Sequence, residues 1–173
     1  MSESTASLEE TPETVELSEE QNNDAEQLHG VPVTNSRGQL VLHPSTGSYH
    51  DLIALLVEEG YDVCIDLCGA DYLGNGTRVL PASVAPERFE LIVNLLDVRT
   101  PRRLRIRVQV PESEPMVATI SGIHPGAEAM EREASDMFGL CFEGHPDPTP
   151  ILLPDGWEGH PLRKDFAIGS IPV

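Results

Sequence analysis

Four histidines, His43, His124, His145 and His160, each precede a proline. Together with Glu131, Glu133 or Asp136 they carry the donor types a divalent metal takes. Their spacing argues the other way. There is no His-x-x-x-His pair to put two imidazoles on one face of a helix. A His-Pro step also has a plain structural use, because proline holds the preceding residue extended. Cys64 and Cys68 are the only closely spaced thiols. On a strand they share a face but stand roughly 13 Å apart, too far to bridge. No second pair completes a four-cysteine site, and Cys141 stands alone. Glu131 and Glu133 have the chemistry of an acid–base pair, but a helix turns them to different faces. The sequence holds no Gly-x-Gly-x-x-Gly, no Walker loop and no Gly-x-Ser-x-Gly elbow. Arg103, Arg105 and Arg107 alternate as on one face of a strand. They suit an anionic ligand, or a solvated face paired with strand neighbours such as Glu90. Two charged runs remain, 131–139 and 159–166, the second holding the only lysine, Lys164. They read either as solvated surface, where ion pairs contribute about 0–1 kcal/mol, or as a network in which arginine forks fix an irregular segment.

The elements that position these groups follow from periodicity. Residues 48–59 read as a helix with Ser48 as cap, Leu52, Leu55 and Leu56 at helical spacing, and Gly60 as stop. Residues 61–68 alternate apolar and polar, as a half-buried strand does. Gly74-Asn75-Gly76 marks a turn. Residues 89–98 form an apolar strand fit for the inside of a sheet, joined by a short turn to 102–110, which predicts an antiparallel hairpin. Residues 116–120 add a fourth strand. A second helix spans 125–138, with Pro125 in its first turn and Gly139 after its last. Its spacing puts Arg132 on one face with Glu128 and Asp136. Beyond Gly139, residues 141–173 hold six prolines and four glycines, yet also Trp157, Phe166 and several leucines and isoleucines. An irregular segment this apolar must cover its own domain or a partner.

The expected class is therefore α+β: a small, mostly antiparallel sheet packed with helices. It is divided into an acidic disordered tail at 1–30, a folded domain at 31–140 and an extended C-terminal arm at 141–173. The tail reading rests on charge. Residues 1–28 hold nine acids and no lysine or arginine, half of the net charge of −18. Too few apolar residues accompany them to offset the entropy of ordering. A chain this acidic does not neutralise nucleic-acid phosphates or dock on anionic lipid by basic charge. No run reaches the roughly 20 apolar residues that cross a bilayer. The first residues lack the pattern of a secretory signal. Three cysteines make no disulfide framework, so a reducing cytoplasm is expected.

Pro125-Gly126-Ala127, Glu131-Arg132-Glu133 and Asp136-Met137-Phe138-Gly139, taken together, resemble the signature of the C subunit of the respiratory NADH:quinone oxidoreductase, complex I. The run from Leu153 through Gly159-His160-Pro161-Leu162-Arg163-Lys164-Asp165-Phe166 resembles the second hallmark of that family, and Phe142-Glu143-Gly144-His145-Pro146 fits the linker. Asp66-Leu67-Cys68-Gly69-Ala70-Asp71-Tyr72 matches a weaker pattern. One departure stands out: the family usually carries two arginines where Thr149 and Pro150 lie here.

The resemblance implies an α+β subunit of the peripheral arm that lies against the quinone-site subunit and near the iron–sulfur subunits. It implies no cofactor on this chain, with FMN and iron–sulfur clusters in partner subunits. It implies no nucleic-acid partner, and membrane contact only through the complex, at the cytoplasmic face. Glu131, Arg132, Glu133, Asp136, His160, Arg163, Lys164 and Asp165 are then network or interface residues, with no catalytic residue among them. Three alternatives stand beside it. One is the equivalent subunit of a membrane-bound hydrogenase, ferredoxin or F420 complex. Another is a free-standing metal enzyme using His124, His145 or His160. The third is an interaction module acting through its acidic tail.

Overall fold

A computed structural model describes residues 27–167. The disordered tail expected at the N-terminus therefore lies, up to residue 26, outside the described residues. Ten elements follow in chain order: β1 (Gln27–Leu28), β2 (Val31–Ser36), β3 (Gln39–Leu42), α1 (Thr46–Glu58), β4 (Val63–Asp71), β5 (Phe89–Asp97), β6 (Arg102–Val110), β7 (Met116–Ala118), α2 (Ala127–Phe138) and β8 (Cys141–Glu143). The main sheet has the order β1-β2-β3-β6-β5-β4. All its pairs are antiparallel except β3 with β6. The mixed class and the β5–β6 hairpin thus match the sequence expectation, and β5 lies inside the sheet, between β6 and β4.

Strand alternation makes the sheet two-faced. Leu91, Val93 and Leu95 of β5 and Leu104, Ile106 and Val108 of β6 are fully or almost fully buried. They meet Tyr49, Leu52, Ile53 and Leu56 of α1 and Ala127, Ala134 and Phe138 of α2 in one core. Each such side chain stabilises the fold by about 1.5–3 kcal/mol through removal of apolar surface from water. The opposite face carries Asn94, Arg103, Arg105 and Arg107.

Several local expectations are corrected. Helix α1 begins earlier than predicted, because Ser45 and not Ser48 is its cap. The Ser45 side chain accepts from Ser48 N–H and the Ser48 side chain accepts from Ser45 N–H, a reciprocal capping box. The alternation expected through residues 61–68 is broken by a register shift between Cys64 and Asp66. An inserted residue reverses the inside–outside order, so Val63 and Ile65 are exposed while Leu67 is buried. Past the shift the strand runs on to Asp71. The fourth strand expected at 116–120 is only β7, and its parallel partner is β8. Regular structure therefore continues three residues into the segment read as irregular.

The C-terminal end of α2 lies against β4 at a residue without a side chain. A Cβ built on Gly69 would stand 2.6 Å from Cδ2 of Phe138. Gly69→Ala should accordingly lower stability by about 1–3 kcal/mol, the usual range for overpacking. Chemical denaturation is expected to show an earlier midpoint at an unchanged slope. A wild-type midpoint would mean that Phe138 shifts freely.

Candidate interface and its internal charge network

Four of the residues singled out in the sequence, Arg132, Asp136, His160 and Arg163, meet at the seam between α2 and the arm that follows β8. Asp136, 8% exposed, aims one oxygen at three consecutive backbone N–H groups, those of Ile151 (2.9 Å), Leu152 (2.7 Å) and Leu153 (3.2 Å). Arg132, four residues earlier, donates to the carbonyls of Thr149 (2.7 Å) and Pro150 (3.2 Å) and to the Thr149 hydroxyl (3.0 Å). It also pairs with Asp147 at 3.4 Å. The face-sharing expected of Arg132 with Glu128 and Asp136 produces no ion pair with either among the described residues. Arg132 turns outward to the arm because backbone carbonyls there need donors. Thr149 and Pro150 are the residues it holds.

The end of α2 is closed by the same arm. A helix leaves its last carbonyls without partners. His160 Nδ1 lies 3.0 Å from the Asp136 carbonyl, the Leu162 N–H donates to Met137 (3.1 Å), and Arg163 Nε donates to Phe138 (2.7 Å). The cationic Arg163 also sits where the helix dipole is negative. Gly139 ends the helix at φ +71°, a left-handed conformation. A Cβ at Gly139 would collide with the Arg163 guanidinium and the His160 ring.

Farther along, the arm reaches the sheet. Arg88 forks onto Asp71 (Nε–Oδ1 3.2 Å, Nη2–Oδ2 3.0 Å) and reaches Asp165 at 2.7 Å and Glu112. The backbone N–H groups of Lys164 (2.8 Å) and Leu73 (2.9 Å) also donate to Asp71. The side chains of Asp71 and Arg88 are 0% and 8% exposed. Burial pushes the Asp71 carboxyl upward, but the Arg88 fork and the two N–H groups outweigh it and hold it below the usual range. Arg88 was missed in the sequence. The β4–β5 register sets Asp71 opposite Phe89, its neighbour. That register is readable only once the irregularity at Cys64 is known.

The remaining expected residues divide. Glu131 is fully buried and accepts from Ile120 N–H (2.8 Å) and the Thr119 hydroxyl. Burial raises its carboxyl above the ordinary value despite these donors. Glu133 and Lys164 are exposed, and Lys164 enters the seam through its backbone N–H. Three arm leucines and isoleucines are turned outward: Ile151, Leu152 (57% exposed) and Leu162.

The metal constellation is not assembled. Among the described residues no group of three or more His, Cys, Asp or Glu is placed to hold an ion. His145 Nε2 lies 3.0 Å from the Glu128 carbonyl, His160 sits on the α2 terminus, and His43 bonds the Thr34 hydroxyl at 2.8 Å. Burial pushes His43 down to about 4 and lowers His124 as well. The three thiols are free. In the arginine stripe, Arg107 forks onto the fully buried Glu90 (2.7 and 3.0 Å), the partner expected from the sequence. No described helix is long and apolar enough to cross a membrane.

These features define an α+β protein whose charged motifs bind its own irregular arm and expose that arm's apolar side chains. Residues 42–171 match the family model described as the respiratory-chain NADH dehydrogenase, 30 Kd subunit. The C subunit of the Bordetella petrii NADH-quinone oxidoreductase is 45% identical over 150 residues, covering 81% of this chain and 72% of that protein. The corresponding C subunit of Salinispora arenicola is 35% identical over 144 residues, covering 82% of this chain, and the chain spans about half (55%) of its length. Among solved structures, a trypsin-resistant fragment (1–134) of Nqo5 is 31% identical with a TM-score of 0.60, over 68% of this chain and 89% of the fragment. A chain of an archaeal membrane-bound sulfane sulfur reductase, 22% identical with a TM-score of 0.65, shares the fold over 80% of this chain and 78% of its own. The chain belongs to the 30 kDa subunit family of the respiratory NADH dehydrogenases.

Two outcomes test the seam. Asp136→Ala removes the acceptor of three N–H groups, so hydrogen exchange at Ile151, Leu152 and Leu153 should accelerate together. The stability loss should be on the order of 2 kcal/mol, since the freed groups are partly resolvated. The depressed Asp71 carboxyl binds fewer protons folded than unfolded between its folded value and the unfolded value near 3.9. Its stabilisation is present above that unfolded value and is lost as pH falls through the folded one. Arg88→Gln should flatten this segment of an acid-unfolding curve and lower neutral-pH stability.

Proposed function

We propose that this chain is a non-catalytic structural subunit of the peripheral arm of a proton-translocating NADH:quinone oxidoreductase. It supports the quinone-site module while electrons pass from NADH to quinone. It holds no flavin or iron–sulfur cluster; these belong to partner subunits. The chain lies at the cytoplasmic face and meets the membrane only through the complex.

The observation that supports this reading is the use made of the charged motifs. Asp136, Arg132, His160 and Arg163 hydrogen-bond to backbone of the arm or of α2. What they organise is a strip bearing Leu152 and Leu162 in water. An irregular segment held in place before binding loses less conformational entropy on docking, which favours assembly. The second reading, an equivalent subunit of another membrane-bound respiratory complex, is favoured by the fold shared with the sulfane sulfur reductase chain.

Affinity purification of the chain from gently solubilised native membranes, followed by mass spectrometry, separates the two. The expected partners are a quinone-site subunit, iron–sulfur subunits and a flavin–NADH module. Hydrogenase or F420-type partners would replace the first reading with the second, and a chain recovered without stoichiometric partners would overturn both.

A further inference from the structure

The sheet face turned away from α1 and α2 gathers arginines whose charge no described acid answers. Elsewhere the arginines are committed. Arg88, Arg99, Arg102, Arg107 and Arg132 each pair with a carboxylate. Arg78 and Arg163 donate to backbone carbonyls and lie over aromatic rings. Arg103 and Arg37 are exposed and have no ion pair among the described residues. Arg105 is half-buried and donates from Nε to Asn94 at 3.1 Å, with no carboxylate in ion-pair range among the described residues. Alternation puts Arg103 and Arg105 on one face of β6. The β3–β6 register sets Leu40 opposite Leu104, which brings the β2–β3 turn holding Arg37 to the Arg103 end of that face. Apolar groups lie between the cations. Leu96 stands opposite Arg103 and Ile92 opposite Arg107, both half-buried. A groove of about 330 Å³ runs past Val41, Ile92, Asn94 and Arg105. The described acids on this face do not serve Arg105: Glu90 accepts from Arg107 and Gln109, and Asp66 stands two strands away.

We propose that this face docks an acidic segment of a partner protein, whose carboxylates meet Arg103 and Arg105, with Arg37 at the end of the row, and whose apolar side chains cover Ile92 and Leu96. The proposal rests on reading the chain as a subunit of a larger assembly. Charge supports it. The chain carries 29 acids against 11 lysines and arginines, so most of its surface repels an acidic partner and this row attracts one. Like charges along one strand also repel each other, a cost to the free chain that arriving carboxylates offset. Spacing favours a peptide over a small anion. Side chains two apart on a strand lie roughly 7 Å from each other, too far for one carboxylate or phosphate to accept a fork from both. Acids two apart in an extended segment repeat at about 7 Å, and acids four apart on a helix at about 6 Å. The kind of cation agrees. A guanidinium is weakly hydrated and forks onto carboxylates, so it tolerates burial in an interface. Asn94 fixes Arg105 through Nε, which leaves Nη1 and Nη2 for the incoming acid.

Carbodiimide coupling in the assembled complex, from gently solubilised native membranes, tests this directly. Arg103→Lys and Arg105→Lys, made one at a time, each place an amine on the face and keep its charge. The reagent activates a carboxylate, the amine displaces the activating group as a urea, and an amide marks the contact. Peptide mapping should find residues 103 and 105 joined to carboxylates of one partner chain. Those carboxylates should lie within about four residues of each other. Adding Arg103→Glu to the Arg105→Lys chain should cut the yield at residue 105 at least about fivefold, because the neighbouring attraction becomes repulsion. An unchanged yield there would overturn the proposal. So would coupling only to acids of the same chain, coupling to acids scattered over several chains, or no coupling in a complex that keeps its partners; each of these leaves the assembly reading standing. Recovery of the chain without any partner would overturn both.

Discussion

A helix that stops leaves several carbonyls pointing at nothing, and the arrangement of this protein's C-terminal third depends on how that deficit is met at α2. The donors are His160, Leu162 N–H and Arg163, all from residues more than twenty positions downstream. Each is a bond between a terminus that needs donors and a chain that has few regular hydrogen bonds of its own. The close fit at Gly139 shows how tightly the two are joined, since a single added carbon there would displace both His160 and Arg163. Fixing this terminus also fixes Phe138, whose ring closes over Gly69 of β4. The arm and the sheet are thus registered against each other through one helix end.

Electrostatics act in the same direction. A carboxylate in the interior is costly unless fully hydrogen-bonded. Asp71, Asp136, Glu90 and Glu131 are all buried, and each has at least two donors. Several of these donors are backbone N–H groups from segments without helix or strand ladders. The charge therefore satisfies backbone that a proline-rich stretch leaves open, and the backbone in turn makes the charge tolerable. Removing a carboxylate frees donors from one segment and weakens its attachment to another. Buried ionic groups contribute modestly to net stability but can specify one arrangement over its alternatives.

Much of this was legible in the amino-acid sequence. The β5–β6 hairpin, α2 with its Gly139 stop, and the pairing of Arg107 with Glu90 follow from periodicity and strand adjacency. For Asp136 and Arg132 the residues alone left solvated surface and network both open, and their backbone partners could not be read. A carboxylate that accepts three backbone N–H groups leaves no trace in the residue types of Ile151, Leu152 and Leu153. Arg88 escaped notice for a related reason. Its partner Asp71 is reached across a strand pair whose register depends on one irregularity near Cys64. The same irregularity reversed the exposure expected for Val63 and Ile65. The limits of reading were therefore set by non-local register and by backbone acceptors and donors, which all residue types share.

The histidine–proline clustering that suggested a metal site also takes its meaning from this backbone demand. Proline removes an N–H and holds its neighbour extended, so a chain rich in it has few donors of its own to offer. A preceding histidine restores one from the side chain. His160 does this for the Asp136 carbonyl, and His145 lies within hydrogen-bond distance of the Glu128 carbonyl. Both rings face α2 from the arm, one at its first turn and one at its last. Imidazoles engaged in this way are held apart along the helix and cannot converge on one ion. The feature that looked most like chemistry is what allows an irregular arm to lie along α2 with its apolar side chains still turned to water.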